Sequence, residues 1–170
     1  LIAYPVNSVI EAAARADIRT IIVRQERTGI HMADAFSRLN SGRKIGVFAM
    51  QVGPGVENSF GGVAQAYGDS VPILVIPGGY SRTLANLPPN FSSALNFQHI
   101  TKWAEQVASA DLLPDAMRRA WTQVRNGRPR PVLVEILEEA LEEDIPEPLD
   151  YVPVAALRSA PDPRDIDDAA

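Results

Sequence analysis

The sequence predicts an α/β fold: a doubly wound, mostly parallel sheet with helices on both faces. Three observations carry this. Short apolar runs rich in β-branched residues recur along the chain, they show no polar alternation, and helical patterns separate them. A strand with no polar side is one covered on both faces, which is the situation of a parallel sheet between helix layers.

In chain order, Leu1-Ile2-Ala3-Tyr4 reads as a first strand cut at its beginning. Asn7 or Ser8 then caps a helix running to about Arg15, with Glu11 three residues after Ser8 as in a capping box. Thr20-Ile21-Ile22-Val23 is a β-branched run and predicts a buried strand. Gly29 to Leu39 predicts a helix, with Met32, Ala33, Phe36 and Leu39 at inward spacing. Ile45 to Met50 predicts the next strand, Val56 to Tyr67 a helix of small residues, and Ile73 to Ile76 a further strand. Leu113, Met117, Ala120, Trp121 and Val124 form one helical stripe that stops near Asn126-Gly127. Val132 to Ile136 is the last strand. Residues 78–98 have no clear period, which at that length suggests a binding or interface segment.

Composition narrows the function. The chain has 170 residues and no cysteine, which excludes disulfides, thiolate metal sites and cysteine nucleophiles. No apolar run has the length of a membrane span, and a cytoplasmic location is the expectation. The net charge of −5 is uneven, because residues 135–170 hold 12 of the 21 acidic residues and only two of the 16 basic ones. The remainder is mildly basic, but its cations form no stripe and have no aromatic residues between them, which argues against nucleic acid. From Glu142 onward the chain is acidic and holds five of the 14 prolines, so it reads as a linker. The division is residues 1–141 as a domain and 142–170 as linker or tail.

Three segments carry chemistry. Gly53-Pro54-Gly55-Val56-Glu57-Asn58 sits between a strand end and a helix start, where glycines let a ligand approach the backbone. It is not the dinucleotide fingerprint, since Asn58 occupies the third glycine position and Pro54 is rigid; a plain tight turn is the other reading. Glu26 falls just beyond the run at 20–23, where open α/β sheets bind ligands. It is open to two readings: a proton-sharing carboxyl, or an ordinary residue paired with Arg24 or Arg27 or favouring a helix dipole. Asp69-Ser70-Val71-Pro72 follows Gly68, a helix stop. His31, His99, Trp103 and Trp121 are most simply surface or packing residues.

Glu26, Gly53-Pro54-Gly55 with Asn58, and Asp69-Ser70-Val71-Pro72, in this order and spacing, resemble the thiamine diphosphate-dependent enzymes of the acetolactate synthase, pyruvate oxidase and benzoylformate decarboxylase type. Met32 to Arg38, Ile100-Thr101-Lys102-Trp103 and Arg128-Pro129-Arg130-Pro131-Val132 extend the likeness, which covers about residues 1–140. The resemblance implies the thiamine diphosphate-binding fold and, within it, the pyrimidine-binding domain. It implies that Glu26 bonds to the aminopyrimidine ring nitrogen of thiamine diphosphate and is the catalytic residue. It implies that Pro5, Val6, Gly53, Pro54, Gly55 and Asn58 lie against the cofactor.

The resemblance also implies a 2-keto acid substrate, with decarboxylation or acetolactate synthase-like carboligation. It implies Mg2+ held only through a diphosphate-binding domain absent from these 170 residues, so that the chain is inactive alone. No metal ligand is assigned in this sequence. A homodimer through the helix at 56–67, with Phe60, Gly61, Gly62, Ala64 and Ala66, is expected. The alternative is a non-catalytic dimerising or regulatory module of the same fold. Gln25 stands where the family often has His, Arg27-Thr28 replace Gln-Gly, Val52 replaces a common Ser, and Phe91-Ser92-Ser93 stands near an expected Phe-Gln-Glu. These positions flank the cofactor or face substrate, so the substrate is not carried over.

Overall fold

The computed structural model describes residues 7–145, 147–157 and 160–169. The expected strand at 1–4, and with it Pro5 and Val6, lies outside the described residues.

Among the described residues six α-helices and four strands follow one another: α1 (Asn7–Arg15), α2 (Glu26–Leu39), β1 (Gly46–Met50), α3 (Pro54–Gly68), β2 (Ile73–Pro77), α4 (Ser93–Phe97), β3 (Trp103–Val107), α5 (Leu113–Arg125), β4 (Val132–Ile136) and α6 (Pro163–Ala169). The described strands form one parallel sheet in the order β1-β2-β4-β3. Because all four run the same way, the chain leaves every strand at the same edge. That edge gathers the turns after Met50, Pro77, Val107 and Ile136.

Side-chain alternation divides the core between two helix layers. Phe48 and Met50 of β1, Ile73 and Val75 of β2 and Leu133 of β4 face α2, α3 and α4, where they meet Ile30, Ala33, Val56, Val63 and Phe97. Leu74 of β2 and Val132, Val134 and Ile136 of β4 face the other way, onto Ala116, Ala120 and Val124 of α5. Val9 and Ile10 of α1 pack beside Ala49, Ile76 and Leu141. Backbone closeness is part of the design: a methyl group built on Gly46 would lie 2.1 Å from the Ala33 carbonyl oxygen. Only glycine lets β1 start this near to α2.

Some expectations are corrected. Thr20 to Val23 is not one of the described strands of this sheet; only Ile22 forms a bridge, and Ile21 and Ile22 are exposed. High β propensity makes a segment compatible with a sheet without supplying a covered place in one. In α2 the buried face is Gly29, Ile30, Ala33, Asp34 and Ser37. Met32, Phe36 and Leu39, read as inward, are exposed. Small residues win the inner face because α2 lies so close to β1 and α3. The inner Asp34 and Ser37 are satisfied locally: Asp34 pairs with Arg38, and Ser37 Oγ donates to the Pro72 carbonyl at 2.6 Å. The strand expected around Ile100-Thr101-Lys102-Trp103 begins only at Trp103, because Thr101 Oγ1 turns back to the Phe97 carbonyl at 2.8 Å.

The acidic stretch after residue 142 lies along α5. Arg118 Nη2 donates to the Asp150 carbonyl at 3.0 Å, Arg125 Nη1 to the Val154 carbonyl at 2.8 Å, and the Leu157 amide to Asn126 Oδ1 at 2.6 Å. Ile145, Leu149 and Tyr151 line one apolar groove together with Leu113, Pro114, Met117 and Trp121.

Candidate active site

The shared strand edge brings the sequence-predicted residues together. Gly53 ends the turn after β1 with φ 66° and ψ −118°, a conformation closed to side chains with a Cβ. Pro54 follows as the first residue of α3, where its missing N–H costs nothing. Asn58 lies one turn further along α3. Glu26 is the first residue of α2, the neighbouring helix, and is half-buried. Asn58 Nδ2 donates to Glu26 Oε2 at 3.3 Å. A Cβ on Gly55 would meet Gln51 Cγ at 2.5 Å and stand 3.4 Å from Glu26 Oε1, so the second glycine lets the Gln51 side chain pack against the turn beside the carboxylate. Neither Arg24 nor Arg27 pairs with Glu26 among the described residues, whereas its place in the first turn of α2 does favour the helix dipole.

Beside this turn the edge opens into a cleft of about 660 Å³. Gln51, Val52 and Pro54 line it from the β1 side, Gly79 and Tyr80 from β2, and Glu138 and Glu142 from β4; Asn7 and Ser8 at the start of α1 complete it. Tyr80 links cleft and turn: a Cβ on Gly53 would come within 2.9 Å of its hydroxyl. Sequence reading missed Tyr80, although Gly78-Gly79-Tyr80 directly after a buried strand was a usable signal.

Among the described residues no group of three or more His, Cys, Asp or Glu is placed to hold a metal ion. His31 and His99 are both exposed. Trp103 and Trp121 are half-buried beneath Arg119 and Arg125, at 5.9 and 4.7 Å.

A second buried carboxylate supports the cleft floor. Glu135 of β4, 1% exposed, accepts from the amides of Ser93 and Ala94 at 3.0 and 3.1 Å and from Gln106 Nε2 at 2.9 Å. A Cβ on Gly79 would lie 3.3 Å from its Cγ. At the rim, Glu143 accepts from the Ala110 amide at 2.9 Å and pairs with Arg82; these hold its carboxyl below the usual glutamate range.

A sequence model described as the thiamine pyrophosphate enzyme N-terminal, cofactor-binding domain matches residues 2–110. The chain belongs to this family. It is 31% identical to the acetolactate synthase large subunit of Haemophilus influenzae over 147 residues, which are 84% of this chain and 25% of that protein. It is 33% identical to 2-hydroxyacyl-CoA lyase 2 of Xenopus laevis over 133 residues, 76% of this chain and 20% of that one. The chain thus spans about a quarter of the length of the curated relatives it matches. In fold it resembles benzoylformate decarboxylase from Polynucleobacter necessarius, with a TM-score of 0.83 at 23% identity over 99% of this chain and 32% of that one. No described helix is long and apolar enough to cross a membrane.

Proposed function

We propose that this chain is the pyrimidine-binding half of a thiamine diphosphate-dependent enzyme acting on a 2-keto acid, completed by a diphosphate-binding domain that also holds Mg2+. The observation that carries the proposal is the meeting of Glu26, Gly55 and Asn58 beside an open cleft at the carboxyl edge of a parallel sheet. The residues fit the pyrimidine end of the cofactor. A half-buried carboxylate beside a glycine-flanked turn can face a flat heteroaromatic ring. When bound, thiamine diphosphate supplies a carbon nucleophile and an electron sink for decarboxylation or carboligation.

What this chain contributes is proton control and position. Glu26 shares a proton with the pyrimidine ring nitrogen, and Asn58 fixes the orientation of its carboxylate. Gly53, Pro54 and Gly55 give the ring a rigid backbone surface. Pro5 and Val6 belong to the same proposal through the family resemblance. So does a homodimer, supported by Met32, Phe36 and Phe60, which leave apolar surface on the outer faces of the paired helices α2 and α3. Gly62 and Ala66 are spent inside the chain, with Gly62 against Ile30. The division at residue 141 and a cytoplasmic location complete the reading.

Glu26→Gln, in the chain assembled with a diphosphate-binding domain, tests it. Deuterium exchange at the thiazolium carbon should slow by about 10²–10⁴, the range for a positioned acid-base group. Equal exchange in the two proteins would remove Glu26 from the mechanism and leave the alternative, a non-catalytic module, as the better reading.

A further inference from the structure

The cleft has an order imposed by the sheet. Its β1 wall is the turn holding Pro54, and its β4 wall carries Glu138 and Glu142. Strand order β1-β2-β4 puts one strand between them, so the two walls are about 10 Å apart at the usual strand spacing. Tyr80, following β2, stands between them, and Gln51 lies on the β1 wall. The Tyr80 hydroxyl makes no hydrogen bond among the described residues, although its backbone carbonyl receives the Glu138 amide at 3.5 Å. Among the described residues no Lys, Arg or His lines the cleft. Arg82, close in sequence to the β2 wall, is occupied by Glu143 and by the Ala108 carbonyl at 2.5 Å, and its amide by Glu139.

We infer that this cleft receives the far end of the 2-keto acid and selects one whose far end is cationic or neutral, with Glu138 and Glu142 excluding a second carboxylate. The inference rests on the proposed function for the position of the reacting end, which lies at the turn. A chain of about five carbons beyond that point reaches the β4 wall. There an anionic group would meet two carboxylates and no counter-charge, whereas a guanidinium or amine would find two acceptors. Gln51 and Tyr80 offer neutral hydrogen bonds on the way.

The test uses three acids of matched length, each five heavy atoms beyond the keto carbon to the end carbon: 2-oxoheptanoate, 2-oxoheptanedioate and 5-guanidino-2-oxopentanoate. Two readouts are taken. One is kcat/KM in the assembled enzyme; the other is binding to this chain, followed by the amide signals of Gly79 and Tyr80. The guanidino acid should be favoured and the diacid disfavoured, each by about tenfold against the methyl-ended acid, the scale of a like or opposite charge a few ångströms away in a partly solvated cleft. Glu138→Gln with Glu142→Gln should compress the series toward equality, and high salt should do the same. A diacid used as well as 2-oxoheptanoate, or a ratio indifferent to the double substitution, overturns the inference. Absence of turnover with every acid, with no Glu26-dependent exchange, overturns the proposed function instead, and the binding series then still decides the charge preference of the cleft.

Discussion

Asn58 donates to Glu26 across 32 residues of sequence; Glu26 opens α2 and Asn58 sits one turn into α3, the adjacent helix that starts at the same sheet edge. The pair therefore reports whether α2 and α3 are in register. It also sets the orientation of the carboxylate on which the proposed proton transfer depends.

Asn58→Ala should separate orientation from fold. The bond is exposed, so unfolding free energy should fall by less than about 1 kcal/mol, while kcat/KM of the assembled enzyme drops about tenfold, the scale of one hydrogen bond to a charged group. Urea unfolding and steady-state kinetics on the same variant give the two numbers. A stability loss that accounts for the activity loss would make Asn58 a packing residue.

Gly53→Ala places a Cβ where φ is 66° and ψ is −118°, and within 2.9 Å of the Tyr80 hydroxyl. Tyr80 can swing away, but the backbone cannot relax without moving Pro54. A cost of about 1–3 kcal/mol is expected from the strained backbone. Adding Tyr80→Phe should recover little of it, and thermal unfolding of the single and double variants decides.

Glu135→Ala leaves the Ser93 and Ala94 amides and the Gln106 side chain without their acceptor in a buried setting. The loss should be about 2–4 kcal/mol. Glu135→Gln retains one acceptor oxygen and should lose less. Amide exchange at Ser93 and Ala94 should quicken in both, in the same order.

Glu143 gives a pH dependence. Its carboxyl is held low, first by the Ala110 amide and then by Arg82. The folded value is depressed, so its contribution is complete above the ordinary glutamate value and is lost as pH falls through the lowered one. Exchange at the Ala110 amide should therefore accelerate only on the acid side of the ordinary glutamate range. Glu143→Gln should remove that acid step.

The sequence was informative wherever one residue type had one physical meaning. The apolar runs at 73–76 and 132–136, the second interrupted by Glu135, became the two central strands, and Gly53-Pro54-Gly55 became the strand-to-helix turn in which Gly53 holds a positive φ. It was misleading where hydrophobicity and burial diverged. Met32, Phe36 and Leu39 have helical spacing, yet α2 turns its small residues inward because Gly46 and Gly62 bring neighbouring elements within touching distance. Periodicity reports that a helix has two faces; it does not say which face the tighter packing claims. Tyr80 and Glu135 escaped for another reason. Each acts through partners more than 20 residues away, and no local pattern marks such partners.

Strand order also governs when the cleft comes into being. β2 lies against β4, pairing Leu74 with Val132, and everything between them in sequence must be looped out first. No hairpin offers an early local shortcut in a sheet whose described strands are all parallel. The wall bearing Pro54 and the wall bearing Glu138 thus come from parts of the chain that are synthesised far apart in time. During translation the β1–β2 pair emerges with its second flank bare, and the apolar edge of β2 waits for residues 132–136 to leave the ribosome. Slow, long-range closure of this kind is expected to dominate the folding rate. A chaperone that shields β2 in the interval would raise the yield of folded protein more than any substitution at the mouth of the cleft.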